Sequence, residues 1–174
     1  MSRATVRETI TTYLESKGAD ATIPFLVNVF GFPQKVTSEG ELYSMDDPGL
    51  QVGANIFVYL PTNREHRIAV GGSHSGRKEV VFEVMLSCFM LSQQSKSQDA
   101  GADNEEFLDG IVDAIRADRN AGDPSQVFQW GEGTITGGDD IQVTSYYPQA
   151  IAGLSGATLT LSECRVTALE VLAT

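Results

Sequence analysis

Two histidines, His66 and His74, and two cysteines, Cys88 and Cys164, are the side chains of this 174-residue sequence best suited to proton transfer or nucleophilic attack. A nucleophile needs a base within hydrogen-bond reach. Both histidines fall in polar, turn-rich sequence of one hairpin region, which reads as surface rather than as catalytic machinery. Both cysteines fall inside strand sequence and read as buried thiols, and neither their number nor their spacing suits zinc or a secreted disulfide framework. The segment Gly71–Lys78, GGSHSGRK, approaches the phosphate-loop pattern G-x-x-x-x-G-K-[ST]. It fails at the decisive end, where Arg77 and Lys78 replace the Lys and Ser/Thr, and a strand follows where a helix N-terminus should receive phosphate. A glycine-rich hairpin turn fits better.

Carboxylates gather at Asp99, Asp103, Glu105, Glu106 and Asp109, and again at Glu132, Asp139 and Asp140. Neither group has the D-x-[DN]-x-[DN]-G spacing of a calcium loop, so helix-capping and solvated acids are the expectation. No cofactor, metal or enzymatic activity is therefore expected. The net charge of −11, with basic residues scattered singly or in pairs, argues against gripping nucleic acid. Such a surface instead suits a wall that phosphate must slide past. No stretch has the order of a signal peptide or the apolar length of a membrane span, so a soluble, non-exported, single-domain protein is expected.

The elements that must position these residues centre on Arg77–Leu91. Val80, Phe82, Val84, Leu86, Cys88 and Met90 are apolar at every second position, which is strand period. Thr5–Glu8 reads as a capping box opening a first helix along Val6, Ile10 and Leu14, with Tyr13 at its margin. Ile23–Val36 reads as an irregular edge strand punctuated by Pro24 and Pro33. Residues 37–49 read as an exposed loop, and Val52–Leu60 and Arg67–Val70 as strands with antiparallel neighbours. Ser92–Asn104 has no large apolar residue and reads as a mobile loop, after which Asp103 and Glu106 open a second helix along Phe107, Leu108, Ile111, Val112 and Ile115. The remainder is β: Val127–Trp130, Ile141–Tyr147 and Thr158–Leu172. In the last strand Glu163, Arg165 and Thr167 share a face with Leu159, Leu161 and Leu169, so that face should be wet at its middle or meet another chain. The fold class is α+β: one mixed, largely antiparallel sheet packed by two amphipathic helices, with long exposed loops.

The order of these pieces, with V-Y-L-P-T-N-R at 58–64, G-R-K-E-V-V-F-E-V at 76–84, N-E-E-F-L-D-G-I-V-D-A-I-R at 104–116 and W-G-E-G at 130–133, resembles the tail terminator proteins of long-tailed bacteriophages. The resemblance implies a structural virion protein. Such a protein forms a homo-oligomeric ring, typically a hexamer, that caps the major tail tube protein, stops its polymerisation and meets the head completion proteins. Genomic DNA would pass through the lumen without specific binding, and no membrane is involved. The alternative is another head-to-tail connector or tail-completion protein, and a small α+β enzyme or ligand-binding domain using the Gly71–Gly76 loop is a more distant one. Ring closure needs two different complementary patches per subunit. The expected positions are Glu39, Tyr43, Asp46 and Asp47 in the first loop, Gln94, Lys96 and Asp99 in the second, and Glu163, Arg165 and Thr167 on the wet strand face.

Overall fold

The computed structural model describes residues 2–32, 52–70, 76–93, 97–123, 128–130, 141–146, 149–150 and 157–173. Two long strands form its spine. β4 (Gly76–Ser92) and β8 (Thr158–Ala173) pair antiparallel in unbroken register from Arg77↔Ala173 to Ser92↔Thr158. Broken strands flank this spine on both sides. On one edge of β4, β2 (Val52–Tyr59) pairs with residues 85–92 and β3 (Asn63–Val70) with residues 76–82. On the far edge of β8 lie β5 (Phe128–Trp130), β6 (Gln142–Ser145) and β7 (Gln149–Ala150). β1 (Leu26–Phe30) closes the β2 side, giving eight strands among the described residues.

The pairing corrects one expectation. β2 and β3 are not neighbours of each other; they lie end to end along β4, and β3 and β4 are the antiparallel pair consecutive in the chain. Pro61 lacks an N–H and interrupts the line, but Thr62 keeps the ladder joined by accepting from the Glu83 N–H at 3.0 Å. β3 therefore starts at Asn63, four residues before the expected Arg67. The one parallel pair among the described residues is β1–β2, where β1 is the edge strand read from its prolines and carries an irregularity between Leu26 and Asn28. Segment 31–51 supplies the length a parallel crossover requires.

Both helices cover one sheet face. α1 (Arg3–Ala19) lies over β1 and β2, and α2 (Ser97–Ala117) lies over β8. Val6, Ile10 and Leu14 of α1 are fully buried as its spacing required, and Tyr13, expected at the margin, is buried with them. The helix is capped a turn earlier than Thr5: Ser2 Oγ accepts the Thr5 N–H at 3.2 Å. Arg3 then reaches from the first turn to donate to the carbonyl of Leu60, clamping the β2–β3 break to the helix.

α2 also starts earlier than the sequence suggested, at Ser97 rather than near Asp103, so the second half of the expected loop is helical. The added turns bury Ala100, which is small enough to lie flat against the sheet, and Asn104, whose partners are polar. Hydrophobic periodicity signals neither. Further along, Phe107, Leu108, Ile111 and Ile115 are buried as expected, with Val112 only half-buried and Ala114 taking its place in the core. The core is one cluster between the helices and the alternate side chains of β2, β4 and β8, including Ile56, Val84, Leu86, Cys164 and Val166.

The corner after α2 is tightly tied. Asp118 accepts the Asn120 N–H through Oδ1 (2.9 Å) and the Gly122 N–H through Oδ2 (3.0 Å). Ala121 (φ +49°) and Gly122 (φ +73°) make the left-handed turn that this geometry needs. Trp130 enters β5 fully buried, donating from Nε1 to the Asp118 carbonyl at 2.9 Å.

Candidate functional site

The sheet face opposite the helices carries three of the residues that sequence reading marked for contact, Glu163, Arg165 and Thr167. Along β8 the even positions Cys164, Val166 and Ala168 face the core, while Glu163 and Thr167 are half-buried and Arg165 is exposed on the other side. Strand alternation alone produces this split. Arg165 Nη2 donates to Glu163 Oε2 at 3.1 Å, and both side chains keep substantial exposure. An exposed pair of this kind fixes side-chain direction more than it stabilises.

Arg165 and Thr167 line a groove of about 320 Å³ that crosses β3, β4, β8 and β6. Thr62, Arg64 and Glu83 form its far wall and Gln142 its near end. The register explains the assembly: Glu83 stands opposite Thr167, and Gln142 opposite Arg165. Thr62 Oγ1 donates to Glu83 Oε2 at 2.9 Å, fixing the carboxylate at the strand break. Sequence reading missed Thr62 and Arg64 because they fall between the expected strands Val52–Leu60 and Arg67–Val70. The available signal was Arg64-Glu65-His66-Arg67, polar residues that continue into Ile68-Ala69-Val70 at strand length.

Toward β2 the same face becomes aromatic. Phe30 stacks on Phe57 with ring centroids 5.1 Å apart, and Phe57 meets Phe89 edge-on at 5.2 Å. Asn28 Nδ2 donates to Asn55 Oδ1 at 3.2 Å beside them. The face thus grades from apolar near β1 to polar at the groove.

Asp99 is exposed in the first turn of α2. It therefore belongs to the helix layer, across the sheet from Glu163, Arg165 and Thr167. Glu39, Tyr43, Asp46, Asp47, Gln94 and Lys96 lie outside the described residues. The structure brings together only the β8 members of the expected set.

The helix side holds a polar knot at the margin of the core, with Asn104 and Ser162 buried and Ser145 exposed. Asn104 Nδ2 donates to Ser145 Oγ at 3.0 Å, Ser162 Oγ donates to Asn104 Oδ1 at 3.3 Å, and the two serine hydroxyls are 3.2 Å apart. This knot suspends β6 from α2 and β8. It offers hydroxyls with an amide and no imidazole or carboxylate partner, so it orients a strand rather than activating a nucleophile. Cys88 and Cys164 are buried free thiols on adjacent core strands, as expected, and burial pushes both up, Cys164 to about 12. His74 lies outside the described residues, and Arg77 and Lys78 belong to β4, so a strand and not a helix follows the glycine-rich sequence. Among the described residues no three His, Cys, Asp or Glu side chains converge as metal ligands. No helix among them is long and apolar enough to cross a membrane.

Tyr13 links the two helices, donating from its hydroxyl to the Ala114 carbonyl at 2.7 Å. Burial, with the Asp118 and Asp20 charges adding, pushes its pKa up to about 12 from 10.0. The folded value exceeds the unfolded one, so this contribution is complete below pH 10 and is lost as pH rises toward 12. Stability in urea should therefore fall more steeply across pH 10–12 in the natural protein than in Tyr13→Phe, with the two curves parallel below that window.

No protein-family model matches the chain, and no curated protein matches it.

Proposed function

We propose that this chain is a structural ring protein of the phage tail terminator kind, capping the tail tube and joining it to the head completion proteins. The observation that carries the reading is the asymmetry of the sheet. Both described helices pack on one face, while the other runs part-exposed along β4 and β8 with an aromatic end and a polar groove. A face of that width with graded chemistry suits a protein partner better than a small ligand, which favours concave, enclosed apolar sites. The net charge of −11 supports a lumen along which DNA slides without sticking.

Native mass spectrometry of the full chain, alone and with purified tail tubes, tests the reading. A closed oligomer, hexameric in the expected case, that binds tube ends is the expected result. Deleting the gene should give overlong tubes. A chain that stays monomeric and leaves tube length unchanged rejects the proposal.

A further inference from the structure

Among the described residues, three large apolar side chains are exposed: Phe32 (65%), Val143 (40%) and Tyr146 (48%). Their positions are not scattered. Phe32 lies just beyond β1, one margin of the sheet, and Val143 and Tyr146 lie in and just beyond β6, on the opposite margin. Edge strands present unpaired backbone donors and acceptors, and soluble proteins usually blunt them with charged side chains, lysine above all. Neither edge here is blunted that way. β1 is Leu-Val-Asn-Val-Phe and β6 is Gln-Val-Thr-Ser, without a charge between them, in a chain carrying 12 basic and 23 acidic residues.

We propose that β6 of one copy pairs with β1 of the next, so that the sheet continues from subunit to subunit. This rests on the ring reading and names the two surfaces that close it. Strand direction fits. β1 runs parallel to β2, β2 antiparallel to β4, β4 to β8 and β8 to β6, so β6 and β1 run in opposite directions. Copies placed side by side with the same end up therefore meet as an antiparallel pair. The side chains fit as well. Val143 stands opposite Cys164, a core-face position, and so points to the helix side of the sheet. Phe32 lies on that side too, its ring 3.9 Å from the guanidinium carbon of Arg7 in α1. Joining the edges brings the two exposed apolar groups to the same layer.

A second copy is the occupant that these features favour. Two subunits with a net charge of −11 repel through most of their surface, and contact is cheapest where both partners are neutral. A two-fold dimer through β1 or through β6 would leave the other uncharged edge open, whereas a head-to-tail contact covers both. The β6 edge is also held ready, since the Asn104–Ser145–Ser162 knot fixes the strand from behind. The polar groove is a poorer candidate, because Arg64 and Arg165 are offset by Glu83 and Glu163.

Variants of the full chain with one cysteine added decide the matter, the natural Cys88 and Cys164 being buried and so out of reach of the oxidant. Oxidation of a mixture of Phe32→Cys and Val143→Cys should give covalent dimers, either variant alone should give none, and the double variant should give a ladder of multimers. Val143→Lys should abolish the oligomer in native mass spectra while its circular dichroism spectrum stays that of the folded chain. Dimers from either variant alone would overturn the head-to-tail assignment. An intact oligomer without mixed cross-links would overturn the edge pairing and leave the ring reading standing. A strict monomer at all concentrations would remove both.

Discussion

Trp130→Ala should lower stability by about 3–5 kcal/mol, the range for truncating a buried large aromatic side chain. The indole is fully buried and meets the Tyr13 ring edge-on at a centroid distance of 5.7 Å. Its Nε1–H donates to the Asp118 carbonyl at 2.9 Å, and its own backbone N–H donates to the Arg119 carbonyl at 2.8 Å. Truncation removes the ring contact, opens a cavity between α1 and the α2–β5 corner, and deprives the Asp118 carbonyl of its indole donor. Trp130→Phe separates these contributions, because it keeps most of the apolar volume and loses the donor. Urea unfolding followed by circular dichroism should rank the natural protein above Trp130→Phe and Trp130→Ala lowest, with unchanged slopes. A loss below about 1 kcal/mol for Trp130→Ala, the scale of an ordinary surface substitution, would mean that the indole is not enclosed as described.

The same tryptophan shows what sequence could and could not reveal. Its membership of a strand followed from the β-rich sequence of Val127–Trp130. The identity of its partners did not, because Tyr13 and Asp118 come from elements whose meeting depends on the whole topology. β4 was legible because six apolar residues alternate without a gap, and those six, Val80 to Met90, are all buried. The wet face of β8 was legible for the same reason, since Glu163, Arg165 and Thr167 interrupt an otherwise apolar alternation.

What escaped was polar or non-local. The first turns of α2 have Ala100 as their buried residue, and a small side chain leaves no amphipathic signature. Asn104 faces inward because Ser145 and Ser162 meet it there, a pairing across 41 and 58 residues that no local pattern encodes. The Thr5–Glu8 capping box was a plausible signal displaced by one turn, since Ser2 stands three residues before Thr5 and takes the cap instead. The groove was half-seen: β8 supplied Arg165 and Thr167, but Thr62 and Arg64 join them only because β2 and β3 share one edge of β4.

Gly110→Ala should destabilise the protein by about 1–3 kcal/mol, the usual cost of forcing extra volume into a packed interface. The sign is the informative part. In an open helix interior the same change stabilises by about 1 kcal/mol, because alanine gives up less conformational freedom. Here α2 runs so close to the segment ahead of β1 that a Cβ on residue 110 would lie 2.7 Å from Pro24 Cδ, 2.9 Å from the Thr22 carbonyl oxygen and 3.2 Å from Ile23 Cα. Those neighbours are two backbone atoms and a proline ring, none of which can rotate away. Relief requires the helix to back off, and that would loosen Phe107 and Ile111, both fully buried on the same helix. Gly101, on the same helix, has nothing within 4 Å of the corresponding position, so Gly101→Ala is the internal control and should stabilise. Opposite signs for the two substitutions in one helix, read as midpoint shifts in urea, would establish that the approach of α2 to Thr22–Pro24 sets the spacing of the helix layer. Equal gains at both positions would refute it.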